Sequence, residues 1–217
     1  MIEVKNVYLS YIKEYSALYN INFEVEDGER LAIIGDSESG KTSLLRAIAR
    51  LEKIDKGEIY LNKININKIN FAKDIDVVYL SSKPIFFDNQ SVFYNLKYVL
   101  KIRKISDEII NKKIYNALKL LEIENIKEIK IKDLTEREKK LVSLARAGLR
   151  KGDIYLVDDI FDSNEIENER IVNFLNAIIE KEASCLFTLN SSHENLLEAL
   201  QVTRQLHLKN GSIVKGK

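Results

Sequence analysis

Hydrophobic and polar positions change rhythm several times along this chain. Over residues 2–11, 18–25 and 58–66 they alternate, as in Gly57-Glu58-Ile59-Tyr60-Leu61. That is the period of strands with one buried face. Asp27-Gly28 and Asn62-Lys63 have the composition of turns. Leu31–Ile34, Ile75–Leu80, Ile154–Val157 and Leu186–Leu189 are short and mainly apolar. Such runs, joined by helices, predict a parallel sheet covered on both faces.

Residues 91–150 follow a different rule and read as successive amphipathic helices. Ser106-Asp107-Glu108 suits a helix start, and the apolar face expected after it is Ile109, Ile110, Ile114, Ala117, Leu118 and Leu121. Lys127–Lys132 alternates lysine with isoleucine, as an edge strand or a loop does. The predicted fold is α/β, one domain over residues 1–217. Its core is residues 1–87 and 151–217, with a helical subdomain inserted at 88–150.

Composition narrows the class. The chain has 217 residues, 45% hydrophobic and 31% charged, enough for one sizeable core. A net charge of +1 implies no broad attraction to nucleic acid, and none is expected as a partner. Cys185 is the single cysteine, so it forms no internal disulfide and reads as inert core. No apolar run approaches the roughly 20 residues that span a bilayer. Met1-Ile2-Glu3-Val4-Lys5 reads as a strand rather than a signal peptide. Work at a membrane would therefore be brought about by other subunits.

Gly35-Asp36-Ser37-Glu38-Ser39-Gly40-Lys41-Thr42 fits G-x-x-x-x-G-K-[ST] between an apolar strand and a helical run that begins at Ser43. Glycines let successive N–H groups point inward, and the helix adds its positive end. Lys41 supplies a cation for phosphates and Thr42 a hydroxyl for Mg²⁺. Glu38 repels a phosphate if it points inward and is harmless if it points outward. A second apolar strand ends in Asp158-Asp159, where ligands of α/β sheets bind. Asp158 is placed to hold the metal and Asp159 to polarise a water.

The order of these features resembles the ATP-binding cassette (ABC) ATPases over nearly the whole chain. Tyr11 stands at the place of the family's adenine-stacking aromatic. Val77–Ser82 and Ser91–Leu96 resemble the segment entering the helical subdomain. Leu134-Thr135-Glu136-Arg137-Glu138 stands where the family has L-S-G-G-Q, and Val142–Ala147 is close to V-A-I-A-R-A. Ser191-Ser192-His193 resembles the switch-histidine loop, and Lys209–Ile213 the closing turn. The resemblance implies a P-loop NTPase (RecA-like) core, an N-terminal antiparallel β subdomain, and ATP and Mg²⁺ as ligands. It also implies a homodimer or heterodimer with another such ATPase, and integral membrane subunits as partners. The site would be cytoplasmic, peripheral on the inner face of the membrane. It makes His193 the γ-phosphate contact, with Asn190 the competitor; His207 reads as a half-exposed strand residue.

Four motifs depart from the family. Asp159 replaces a glutamate, so slow hydrolysis is expected. Ser82 replaces the glutamine that senses Mg²⁺ and the γ-phosphate. Thr135 keeps the signature hydroxyl, but Glu136 and Arg137 replace both glycines and Glu138 the glutamine. Thr135-x-x-Glu138 still forms a capping box. The usual S-A-L-D reads Asp162-Ser163-Asn164-Glu165. Pro84-Ile85-Phe86-Phe87 lies where the family receives a helix of the membrane subunit, and at least two of its three large apolar residues are expected in the subdomain core. Two functions are compatible with this pattern: the ATPase subunit of a transporter, or a partner subunit that binds nucleotide and scarcely cleaves it. Other P-loop classes fit less well. The N-K-x-D that reads guanine is lacking, since Asn62-Lys63-Ile64-Asn65 and Asn67-Lys68-Ile69-Asn70 both lack the acid.

Overall fold

A computed structural model describes residues 1–12, 15–71, 73–101 and 106–214. The chain divides into two units. The first comprises Met1–Tyr79, Gly152–Phe161 and Ile179–Lys217, and the second Leu80–Lys151 and Asp162–Ile178. In the first lie β1 (Ile2–Ile12), β2 (Tyr15–Val25), β3 (Arg30–Ile34), α1 (Lys41–Ile48), β4 (Lys56–Leu61), β5 (Ile64–Asn65) and β6 (Val77–Ser81, whose last residues open the second unit). β7 (Ile154–Asp158), β8 (Ser184–Leu189), β9 (Arg204–Lys209) and β10 (Ser212–Val214) complete it.

β1, β2, β4 and β5 form an antiparallel sheet in the order β2-β1-β4-β5. β1 buries Ile2, Val4, Val7 and Leu9, so its alternation slips by one position. The slip is a bulge: Asn6 takes a left-handed φ of 49° and the pairing with both neighbours shifts there. Gly57 lies opposite, where a Cβ would meet the Asn6 carbonyl oxygen at 2.2 Å. Asn62-Lys63 turns the chain between β4 and β5 with both residues at positive φ.

The other sheet runs β10-β9-β3-β8-β7-β6. β3 is parallel to both β8 and β9, and β7 is parallel to β8. Three of the short apolar runs are its inner strands β3, β8 and β7, with every residue of β7 and β8 buried, and the fourth gives the edge strand β6. Parallel register aligns the strand ends: Ile34 pairs with Leu189 and Asp158 with Thr188, so β3, β7 and β8 end together. Cys185 is fully buried in β8, and burial raises its thiol pKa, which leaves it unreactive.

The second unit holds α2 (Val92–Lys101), α3 (Asp107–Leu120), α4 (Glu136–Gly148) and α5 (Glu165–Ile178). Its limits differ from the expected 88–150: the unit begins at Leu80, and α5 belongs to it. α5 buries Ile171, Val172, Phe174 and Leu175 and packs on α4, where Gly148 leaves room for the Phe174 ring. Along α3, Ile110, Ile114, Ala117 and Leu118 are buried, with Leu121 beyond it. Ile109 is half exposed, contrary to expectation, because successive helical residues point roughly 100° apart.

Of the two readings of Lys127–Lys132, the structure shows the loop: it follows a 3₁₀ turn at Glu124–Ile126 and runs into another at Ile131–Asp133, and Ile131 and Lys132 donate their N–H groups to the carbonyls of Gln90 and Asp88. One further expectation fails. Of the three large apolar residues after Pro84, only Phe86 is partly covered, by Arg146, which also bonds the Ile85 carbonyl at 2.7 Å. Ile85 is 86% exposed and Phe87 about half exposed, because polar bonds hold this segment: Arg146 the Ile85 carbonyl, and the Asn95 side chain the Phe87 backbone at 2.9 and 3.2 Å. No helix among the described residues is long and apolar enough to cross a membrane.

Candidate functional site

The loop Gly35–Thr42 joins β3 to α1 and is held on several sides. The Gly35 N–H donates to the Leu189 carbonyl at 3.1 Å, and the Gly211 N–H to the Ser39 carbonyl at 2.9 Å. Two glycines are obligatory. A Cβ on Gly35 would sit 2.3 Å from the Leu208 oxygen, and one on Gly40, at φ 105°, would sit 2.5 Å from the Ala17 oxygen. Ser37 and Glu38 form the exposed tip, and Glu38 takes a left-handed φ of 64°. Its side chain is exposed.

The Lys41 ammonium folds back to donate to the carbonyls of Gly35 at 2.5 Å and Asp36 at 2.9 Å. Burial lowers its pKa, against the attraction of Asp159, Asp158 and Asp36. The buried Ser39 hydroxyl has no hydrogen-bond partner. Asp36 accepts a hydrogen bond from the Ser191 hydroxyl at 2.9 Å, which ties the loop to the segment after β8. The hydroxyls of Tyr11 and Ser43 meet at 3.1 Å, so the exposed aromatic ring stands at the first turn of α1.

Asp158 is fully buried at the end of β7. Its Oδ1 accepts from Thr42 at 2.9 Å and from Thr188 at 3.2 Å, and its Oδ2 from the Tyr79 hydroxyl at 2.8 Å. Asp159 comes next at a left-handed φ of 46°, with its N–H on the Thr188 carbonyl at 3.3 Å. Burial raises its pKa and Asp158 adds to the rise; Lys41, His193 and a backbone bond from Asn190 oppose it. The segment Ser191–Leu196 is 3₁₀ with a kink at His193, whose ring lies 6.3 Å from that of Phe161. The Asn190 amide oxygen is taken up by the N–H and hydroxyl of Ser192. His207 is half buried in β9.

These residues fit a magnesium nucleotide. Thr42 keeps lone pairs free for a cation while its hydrogen rests on Asp158. Among the described residues no three His, Cys, Asp or Glu side chains gather to hold a metal. An ion here would complete its shell with phosphate oxygens and water, as Mg²⁺ commonly does. Lys41, Thr42, Asp158 and Asp159 converge; Ser82 and Thr135 belong to the other unit.

There, Ser82 is exposed just beyond β6. Thr135 caps α4 in a reciprocal box with Glu138, at 2.8 and 3.2 Å, and the Thr135 N–H and hydroxyl, each 2.8 Å from the Glu138 carboxylate, hold its pKa down. Arg137 donates twice, at 2.8 and 2.6 Å, to one oxygen of Glu167, a carboxylate only 2% exposed. Glu136 pairs with Lys139, and Lys140 with Asp162. Glu165 is exposed at the start of α5.

Sequence reasoning misses Tyr79, Thr188 and Glu167. Thr188 carries a signal, being a polar residue inside an apolar strand. Tyr79 and Glu167 carry none, because their partners lie far away in sequence.

The family model described as ABC transporter matches residues 18–162. A spermidine/putrescine import ATP-binding protein of Legionella pneumophila is 33% identical over 164 residues, 75% of this chain and 44% of that protein. An sn-glycerol-3-phosphate import ATP-binding protein of Bartonella bacilliformis is 36% identical over 158 residues, 73% of this chain and 46% of that one. The chain thus spans less than half the length of these relatives. A dimeric ATP-binding cassette in a post-hydrolysis state with ADP and Pi superposes with a TM-score of 0.86 at 22% identity, covering 100% of this chain and 98% of that one. The dimeric structure of a bacterial ABC transporter cassette gives 0.83 at 25% identity, covering 99% and 97%. The α/β P-loop fold is the one these cassettes share.

Proposed function

The chain belongs to the ABC transporter family, and we propose that it is an ATP-binding subunit that binds Mg-ATP and hydrolyses it slowly to drive membrane transport. The observation that carries this is the convergence of Lys41, Thr42 and Asp158 where β3 and β7 end. On binding, the Lys41 ammonium exchanges the carbonyls of Gly35 and Asp36 for phosphate oxygens. The N–H groups at the start of α1 and the free Ser39 hydroxyl receive the same phosphates. Thr42 ligates the cation and keeps its hydrogen on Asp158. Tyr11 offers a ring to the base. When bound, Mg²⁺ supplies charge neutralisation on the phosphates. Asp159 orients the attacking water and His193 contacts the terminal phosphate. Asp159 is shorter than glutamate by one C–C bond, about 1.5 Å, and a misplacement of roughly 1 Å can cost about 100-fold in rate.

Two cassettes, identical or different, would close on two nucleotides, with Thr135 of each facing the other's ligand. Membrane subunits would hold the pair at the cytoplasmic face of the membrane. Exposed Ile85, Phe87, Tyr94 and Tyr98 support that contact: the three aromatic residues among them cluster on one unit with ring centroids 4.9–6.5 Å apart. Calorimetry with Mg-ATP tests the proposal, and no heat of association from folded protein would end it.

A second reading has its own observation. Arg137 gives two hydrogen bonds to the buried Glu167 carboxylate, which leaves less of its charge to offset Glu136 and Glu138 at the α4 start. This favours a nucleotide-binding subunit that contributes little hydrolysis and depends on a partner with an ordinary signature. Turnover of the chain alone and with its partner separates the two readings.

A further inference from the structure

We propose that Tyr79 is a positioning residue for the magnesium site, an inference that rests on the proposed function. β6 lies beside β7 in the sheet, and Tyr79 stands at its middle with its ring packed on the core. Its hydroxyl donates to Asp158 Oδ2 at 2.8 Å, while Thr42 and Thr188 donate to Oδ1. A buried carboxylate needs hydrogen-bond donors, and three hydroxyls provide them. Their roles differ. Thr42 lies on the ligand side and Thr188 on the neighbouring strand, and both hold one oxygen. Tyr79 grips the opposite oxygen and thereby stops rotation of the carboxylate about its last bond. Asp158 Oδ1 is thus kept toward Thr42, the geometry in which Thr42 presents its lone pairs to a cation.

Tyr79→Phe removes one hydroxyl and keeps the ring. The test is calorimetric Kd for ATP in excess Mg²⁺ and again in EDTA, on wild type and variant. Loss of an outer-shell partner costs about 10-fold or more in metal affinity. The variant is therefore expected to bind ATP in EDTA like wild type, with its gain from Mg²⁺ cut by about 10-fold. ATP binding in EDTA also reports that the variant is folded. An unchanged ratio of the two Kd values, or an equal loss in both conditions, overturns the inference and makes Tyr79 a packing residue. Failure of wild type to bind Mg-ATP would instead remove the proposed function, and this inference with it.

Discussion

The loop end of the first unit and the start of α4 in the second are both crowded with charge, yet they handle it in opposite ways. Around Lys41 the polar groups turn on one another: a buried ammonium on carbonyls, hydroxyls on the buried Asp158, and a buried serine hydroxyl with no partner. At the α4 start each charge has an ordinary protein partner: Glu138 on Thr135, Arg137 on Glu167, Glu136 on Lys139. Acid–base behaviour reports the same split. Burial pushes Asp159 up and Lys41 down, so their charged forms are disfavoured, whereas capping pulls Glu138 down and favours its charge. One region holds groups at a cost that a ligand can relieve. The other has already committed its charges to the fold.

The contrast between the two regions can be tested most severely at Lys41. Lys41→Ala removes charge-assisted bonds worth about 3 kcal/mol together, so the Kd for Mg-ATP should rise roughly 100-fold by calorimetry. An affinity within a few-fold of wild type would deny that this end is reserved for phosphate. Next in size is Asp159→Glu, which restores reach toward the water. Steady-state phosphate release should increase by about 10- to 100-fold, and no increase would remove Asp159 from the general-base role.

Arg137→Ala probes the other side. It strands Glu167, and a fully buried unpaired charge costs about 3–5 kcal/mol. Arg137 is 59% exposed, so water screens the pair. The expected loss is about 1–2 kcal/mol, a fall in Tm of roughly 2–6 °C, with ATP affinity of the isolated chain unchanged. A change in that affinity would join the two regions held apart above.

The smallest effect is at Glu138. Its folded pKa lies below its ordinary 4.5, so its contribution is present above pH 4.5 and is lost as pH falls through the lowered value. Glu138→Gln should therefore melt lower than wild type at pH 7, by on the order of 1 °C, and the gap should close on acidification. A gap that widens in acid would contradict the capping assignment.

Much of the fold is legible in the sequence because its signals are local. The alternation in β1 and β4, the apolar runs of β7 and β8, and the capping box at Thr135 each depend on a handful of neighbouring residues. Ile109 misleads because α3 turns one face to the core and Ile109 lies off it, and Phe87 because a hydrophobic run carries no notice that its ring will pack on half-exposed Tyr94 and Tyr98 rather than in the core.

The amino-acid order alone determined the strand–loop–helix around Lys41, the acids that end β7 and the helical character of residues 91–150, since period, glycine placement and end-of-strand chemistry act within about ten residues. The tertiary structure decided that α5 joins the helical unit, that Arg137 is occupied by Glu167, and that Tyr79 and Thr188 grip Asp158 from two sides. Those outcomes depend on strand order, parallel register and helix packing, which bring together residues 30 to 116 positions apart.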